Sequence, residues 1–294
     1  MASSPTRRTQ PIGRIVKTAN RPICKSATAA LLCLGAWLSA WPLPAQAEAV
    51  DLELVLAIDT SISVNPQEYT LQVAGLARAF RDPRVHAAIR AAGERGIAVS
   101  LVQWASQNEQ AVMIGWSKVQ DPDSALRLAD DIARMPRRFA GYGTAISSAL
   151  QFSTDLFFGN GFEARRRIID VSGDGSDNRG PMPSRKRNVA VSLGITINGL
   201  AILNEEPNLD FYYDRHVIGG TGAFVMTAND YIDFADAIVV KLIREISQGP
   251  IAAAPEGSPP PMPSPTTPHT TAVRLAGPMA ASGPGREDPG RETR

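Results

Sequence analysis

The sequence predicts an α/β fold: a doubly wound, Rossmann-like, mostly parallel sheet with helices on both faces and one antiparallel strand at an edge. Between residues 48 and 249, strand-like apolar runs alternate with amphipathic segments of helical period, as in strand–helix–strand crossovers. The gap from Trp104 to Gln110 is too short for a crossover helix, so the strands on either side of it are expected to be antiparallel. This region of roughly 200 residues is long enough for one core, and we treat it as a single domain.

The elements of the first half follow from apolar spacing. An apolar run within residues 52–58 predicts the first strand. A helix is expected to start near Pro66, because apolar side chains recur every three or four positions from Tyr69 to Phe80. Strands over 97–104 and 110–116 come next, the second of them at the edge.

The second half repeats the alternation and completes the sheet. Helices are predicted over 122–135 and 144–157, a strand over 167–172, a helix over 184–193, a strand over 195–202, a short strand over 222–227 and a closing helix over 231–246.

The first 47 residues have the features of a signal peptide. Six basic residues and no acidic residue precede Glu48, and an apolar run over 27–41 is followed by the small-residue pattern Ala45-Gln46-Ala47. The run is too short for a comfortable membrane span. We expect cleavage after Ala47 and an exported protein, periplasmic or secreted, without a stable membrane span in the mature chain. Retention of the leader as an anchor is the alternative.

Removing the leader changes both the thiol content and the charge. The two cysteines, Cys24 and Cys33, lie within it, so the mature chain has no thiol for a disulfide, zinc or an iron–sulfur cluster. The leader holds six of the 30 Lys and Arg residues and none of the 29 acidic ones, which leaves 24 basic residues against 29 acidic and a net charge of about −5. This balance argues against a nucleic-acid partner.

The segment 250–294 is predicted to be a disordered tail. It contains 11 of the 23 prolines, with Ala, Gly, Ser and Thr between them. Such a composition buries too little apolar surface to offset the entropy of ordering the chain.

Oxygen-bearing side chains follow the ends of two predicted strands and precede one helix. Asp59, Ser61 and Ser63 come after the first strand, Asp174 follows the strand over 167–172, and Thr144 lies near the start of a helix, where we expect its hydroxyl at or near the N-cap. The carboxyl ends of the strands are where open α/β sheets bind ligands. Oxygen donors of this kind suit Mg²⁺, Ca²⁺ or Mn²⁺.

Together, Asp59-Thr60-Ser61-Ile62-Ser63, the Gly143-Thr144 pair and the Gly173-Asp174 pair resemble the metal-ion-dependent adhesion site (MIDAS) of von Willebrand factor type A (VWA) domains. The resemblance covers residues 50–248 and is closest to an exported bacterial branch that carries a domain-of-unknown-function label.

The resemblance implies a particular set of ligands. Ser61, Ser63 and Thr144 would supply hydroxyl ligands to one divalent cation, Mg²⁺ by preference with Ca²⁺ or Mn²⁺ as alternatives, while Asp59 and Asp174 would act directly or through water. An open coordination position would then attract a carboxylate from a partner protein. The expected function is that of a non-catalytic binding module; the oligomeric state stays open.

Other interpretations of the same residues remain. Ser61 and Ser63 could instead cap the following helix. The Gly173-Asp174-Gly175-Ser176-Asp177 turn also resembles the last acidic motif of haloacid-dehalogenase-type phosphatases, although Ser61 stands where those enzymes carry an acid/base Asp. A third possibility is a purely structural envelope or assembly protein tethered by its tail.

Two further expectations concern side chains outside this constellation. The arginine clusters 165–167 and 185–187 are expected to be solvated. A core position is expected for five aromatic residues: Trp104, Trp116, Phe152, Phe157 and Phe158.

Overall fold

A computed structural model describes residues 47–248 of the chain. The strands are β1 (Glu48–Val50), β2 (Leu52–Asp59), β3 (Ile97–Trp104), β4 (Gln110–Val119), β5 (Phe162–Ala164), β6 (Arg167–Gly173), β7 (Ile195–Ile202) and β8 (Val225–Ala228). The helices are α1 (Pro66–Arg81), α2 (Pro83–Ala92), α3 (Pro122–Ala133), α4 (Ile146–Asp155), α5 (Pro183–Ser192), α6 (Leu209–Tyr212), a π-helical turn (Tyr213–Val217) and α7 (Tyr231–Ser247).

The central sheet confirms the predicted fold class. Its six strands lie in the order β4-β3-β2-β6-β7-β8. Every neighbouring pair is parallel except β3 and β4, so the predicted antiparallel strand lies at the edge. A separate two-stranded parallel sheet joins β1 to β5.

Helices cover both faces of the sheet, as a doubly wound fold requires. On one face α1, α2, α3 and α7 pack over a core that includes Leu56, Phe80 and Phe234. On the other, α4, α5 and α6 cover a core that includes Trp104 and Tyr213. With both faces covered, all eight residues of β2 are buried.

Helix α1 begins where the sequence places it, and its cap is well defined. Asn65 is the N-cap, and its side chain accepts hydrogen bonds from the backbone N–H groups of Gln67 and Glu68. Glu68 completes a capping box by accepting from the N–H of Asn65 at 2.8 Å. The helix therefore starts without using the serines that precede it.

Several elements were not predicted from the sequence. Helix α2 follows α1 after the single residue Asp82, which ends one helix and caps the next. Its only buried side chains are Val85, Ala88 and Ile89, so its apolar stripe is too narrow to stand out. Strands β1 and β5 are three residues long each, below the length at which a strand pattern can be recognised.

Two side-chain expectations were wrong in part. Phe158 is 55% exposed, whereas Trp104 and Phe157 are buried. In the first arginine cluster, Arg166 donates to the backbone carbonyls of Glu245 and Ile246, and Arg167 pairs with the buried Glu53. Arg166 is thus held by the end of α7, and Arg167 is held because it lies opposite Glu53 where β6 pairs with β2.

Some sequence predictions lie outside the described residues. They are the leader up to residue 46, with Cys24 and Cys33, and the tail over 250–294. Within residues 47–248, no helix combines the length and the apolar character needed to cross a membrane.

Candidate metal site

The carboxyl edge of the sheet brings two acidic turns side by side. Asp59 is the last residue of β2, opposite Trp104 of β3. On the other side, Ile58 lies opposite Ser172 of β6, and the chain reaches Asp174 two residues later. Parallel pairing of β2 with β6 therefore places both carboxylates at one edge.

A continuous chain of hydrogen bonds links four of the five predicted site residues. The backbone N–H of Ser61 donates to Asp59 Oδ1 at 2.7 Å. The hydroxyl oxygens of Ser61 and Ser63 are 3.1 Å apart, and Ser63 donates to Asp174 Oδ1 at 2.7 Å. Residues 111 positions apart in sequence thus meet through one hydroxyl.

Thr144 approaches the same edge from the loop before α4. Its N–H donates to Asn178 Oδ1 at 3.0 Å, and its carbonyl accepts from the N–H of Asn178 at 2.9 Å. A Cβ placed on Gly175 would lie 3.7 Å from Thr144 Oγ1, so the hydroxyl borders the turn that carries Asp174. Asn178 therefore joins the loop before α4 to the turn after β6 through two hydrogen bonds.

Thr144 lies one residue before the N-cap of α4, near the cap as expected. The N-cap residue is Ala145, and no side chain caps this helix. The helix starts one residue later than an N-cap at Thr144 requires, because Asn178 holds the backbone of Thr144 in the adjoining loop. The threonine hydroxyl consequently has no capping role.

The capping explanation for Ser61 and Ser63 is likewise excluded, since Asn65 caps α1. Both hydroxyls instead point into the hydrogen-bond chain that ends on Asp174.

The electrostatics of this edge are unfavourable for two unpaired carboxylates. Asp59 and Asp174 are both fully buried. Burial, followed by the nearby negative charge of Asp174, raises the pKa of Asp59 to about 8, and burial also raises the pKa of Asp174. Asp59 Oδ2 has no hydrogen-bond partner. Within residues 47–248, no basic side chain forms an ion pair with either carboxylate.

Two tyrosines that the sequence did not single out complete the edge. Tyr231, at the start of α7, donates to Asp174 Oδ2 at 3.2 Å. The hydroxyl of Tyr213 is buried without a partner. A Cβ on Gly173 would lie 2.9 Å from both Tyr213 OH and Asp59 Oδ2, so only glycine fits between them. Neither tyrosine lies near the sequence motif, and no local pattern could have revealed them.

The loop after β2 is held by one side chain of α1 and by Arg137, which follows α3. Gln72 of α1 donates to the carbonyl of Asp59 at 3.0 Å. The guanidinium of Arg137 donates to the carbonyls of Thr60 and Ser61, each at 2.9 Å. These contacts fix the backbone of the loop that carries Ser61.

The donor set fits a hard divalent cation. It offers two carboxylates, one with an unpartnered buried oxygen, and hydroxyls, which are the oxygen ligands that Mg²⁺, Ca²⁺ and Mn²⁺ accept. Within residues 47–248, no cluster of three or more His, Cys, Asp or Glu side chains could hold a metal. A cation at this edge therefore requires the hydroxyls as ligands.

The mostly parallel six-stranded sheet with helices on both faces defines the fold of the protein as VWA-like α/β. The chain belongs to the family described as "Protein of unknown function (DUF1194)", whose model matches residues 49–250. No curated protein is significantly similar to the chain.

The chain is similar to solved structures at low sequence identity, and the first two of those below show the same fold. Proximal thread matrix protein 1 from the mussel byssus has a TM-score of 0.53 and 15% identity, over 69% of this chain and 48% of that one. The pilus adhesin SpaC from Lactobacillus rhamnosus GG has a TM-score of 0.50 and 12% identity, over 69% and 31%. A von Willebrand factor type A structure from Catenulispora acidiphila has a TM-score of 0.48 and 17% identity, over 67% and 43%. This chain thus spans less than half the length of each.

Proposed function

We propose that the protein is an exported binding module that captures an acidic group of a partner protein through a divalent cation. The cation would be Mg²⁺ by preference, with Ca²⁺ or Mn²⁺ as alternatives, held by Asp59, Ser61, Ser63, Thr144 and Asp174. The observation that supports this most directly is the 2.7 Å hydrogen bond from Ser63 to Asp174 beside the unpartnered Asp59 Oδ2. Two buried carboxylates and a hydroxyl lie together there, and no Lys, Arg or His side chain of residues 47–248 forms an ion pair with either carboxylate.

Each residue has a distinct part in the proposal. Asp59 and Asp174 supply negative charge, directly or through water, while Ser61, Ser63 and Thr144 supply neutral oxygen. A bound cation with one free coordination position provides the positive charge that a partner carboxylate needs. The rim is accessible, since Tyr142 is 81% exposed and Ile62 is 50% exposed.

The phosphatase alternative lacks the acid/base carboxylate that its chemistry needs at position 61. Position 61 carries a hydroxyl, which lies 3.1 Å from the Ser63 hydroxyl, and a hydroxyl cannot relay protons as a carboxylate does. We therefore favour binding over catalysis. Loss of a measured phosphatase activity in Asp59→Asn would reverse this preference.

Metal binding is tested first, by isothermal titration of the metal-free protein with Mg²⁺, Ca²⁺ and Mn²⁺. Ser63→Ala removes the hydroxyl that joins the two acidic turns and is expected to weaken binding about tenfold or more. Ser192→Ala is the matched control, because Ser192 is an exposed serine of α5 and its loss should leave affinity unchanged. No heat from any of the three ions at millimolar concentration would contradict the proposed site.

Partner capture is tested separately, with immobilised peptides that carry Asp or Glu and matched peptides that carry Asn or Gln. Retention should require both the acidic peptide and the cation, and should disappear with EDTA. If the wild type and the Ser61→Ala/Ser63→Ala double variant retain partners equally, the structural alternative, with the tail as a tether, is the better explanation.

Export is tested by fractionating cells and sequencing the N-terminus of the mature protein. We expect Glu48 as its first residue. An N-terminus within residues 1–46 would favour retention of the leader as an anchor.

A further inference from the structure

A second candidate site lies at the opposite edge of the sheet from the proposed metal site. A cavity of about 650 Å³ opens where β6 and β7 begin, next to the turn over 219–222 and the end of α7. The metal-site residues follow the carboxyl ends of the strands, whereas this cavity is lined by the amino-terminal residues Arg167, Ile195 and Thr196. The two sites are therefore separated by the length of the strands.

Positive charge dominates the cavity. Its walls include three consecutive arginines, Arg165, Arg166 and Arg167, and none of its twelve lining residues is acidic. Since a concave wall of low dielectric focuses the field of the charges that line it, the cavity attracts anions.

The three arginines are not equally engaged. Arg166 is held by the last carbonyls of α7, and the Nε of Arg167 donates to Glu53 Oε2 at 3.2 Å. The side chain of Arg165 is exposed and forms no ion pair with another residue of the range 47–248. Two guanidinium groups are thus fixed in place by the fold, and the third is free to close on a ligand.

The rest of the wall leaves room for a ligand. Gly194, Gly220 and Gly222 line it without side chains, and a Cβ on Gly194 would have nothing within 4 Å. Thr196 and Thr221 add hydroxyl groups. The volume lies within the range of about 300–1,000 Å³ that is typical of small-molecule sites.

We propose that this cavity binds a phosphate group. Arginine is the side chain that binds phosphate with paired N–H donors, and several guanidinium groups around one cavity match a multiply charged oxyanion better than a single carboxylate. The phosphate could belong to a free small molecule or to the headgroup of an anionic lipid, and both present the same chemistry to the arginines.

The experiment is a calorimetric titration of the full chain with pyrophosphate, in EDTA so that no cation at the other edge contributes. We expect saturable binding that is weakened about tenfold in Arg165→Gln, the usual effect of removing a charge-assisted hydrogen bond. Arg185→Gln is the control, because Arg185 is an exposed arginine of α5 that does not line the cavity, and it should bind like the wild type. Melting temperatures check that both variants fold.

Co-sedimentation with vesicles separates the two sources of phosphate. Binding to vesicles that contain phosphatidate, whose terminal phosphate is a multiply charged oxyanion, but not to phosphatidylcholine vesicles, displaced by pyrophosphate and lost in Arg165→Gln, would identify a lipid headgroup. Pyrophosphate binding without vesicle binding would identify a free ligand. Absence of saturable pyrophosphate binding, or equal weakening in Arg165→Gln and Arg185→Gln, would overturn the proposal. Neither result bears on the metal site, which Ser63→Ala tests independently.

Discussion

The buried charge cluster under α7 gives the most quantitative prediction. Lys241 lies 2.6 Å from Asp170 of β6 and 2.6 Å from Glu245 one turn further along α7. Asn198 of β7 donates to the same Glu245 oxygen at 2.9 Å. One ammonium group therefore serves two carboxylates, and each carboxylate keeps one buried oxygen without a partner. Besides Lys241, a second cationic side chain, that of Arg166, lies next to Glu245 and donates to its backbone carbonyl.

Glu245→Gln tests how much the stability of the domain depends on the protonation of Glu245. Burial, then the charge of Asp170, raises the pKa of Glu245 from 4.5 to about 7. A raised pKa means that the folded state binds the proton more tightly, so this contribution to stability is fully present below pH 4.5 and is lost as pH rises through about 7. With about 1.4 kcal/mol for each pH unit between the two values, the full loss is about 3 kcal/mol.

Glutamine keeps the shape of the protonated acid and does not titrate. Relative to wild type, the Gln variant should therefore gain unfolding free energy between pH 4.5 and about 7 and hold a constant advantage of about 3 kcal/mol above it. Urea unfolding in EDTA, followed by tryptophan fluorescence across this range, measures the difference. Glu94→Gln, at an exposed glutamate, is the control and should show no such trend. Parallel pH profiles for wild type and Glu245→Gln would refute the reasoning.

Three further predictions concern stability and are checked by the same urea unfolding. Gly173→Ala should destabilise the domain by about 1–3 kcal/mol through overpacking, because the new Cβ would lie 2.9 Å from Asp59 Oδ2; Gly115→Ala, where nothing lies within 4 Å, should not. Lys241→Met should lower stability by about 3–5 kcal/mol, since it leaves two buried carboxylates without a counterion. Asn65→Ala should lower stability by about 1 kcal/mol through loss of the helix cap, and should leave cation affinity unchanged in calorimetry.

The fold could be predicted from the sequence because its strands and main helices carry strong local patterns. The apolar run before Asp59 and the short gap after Trp104 were sufficient for a buried first strand and an antiparallel edge. The elements that were not predicted, α2, β1 and β5, lack such a local pattern. Helix α2 buries three side chains, and β1 and β5 are stabilised by pairing with each other, over a separation of more than a hundred residues.

The part of the candidate site that could be predicted consists of the oxygen-bearing residues that directly follow the ends of strands. Ser61, Ser63 and Asp174 meet because β2 and β6 are parallel neighbours. Alternation of strands and helices implies the parallel direction, but not that these two strands are adjacent. Tyr213 and Tyr231 could not be predicted, since they reach the edge from distant segments of the chain. The same holds for Arg166, whose partners are carbonyls at the end of α7.

The burial of the carboxyl edge gives a physical reason why the candidate site combines two acidic residues with three hydroxyl residues. Burial, followed by the negative charge of Asp174, raises the pKa of Asp59, and burial raises that of Asp174, so a third buried carboxylate would add repulsion to the metal-free domain. Hydroxyl groups provide oxygen for a cation at no such cost, and they leave more of its charge for a carboxylate outside the protein. Under the proposed function, a hydroxyl-rich site would therefore allow the domain to fold first and bind a cation and an acidic partner afterwards.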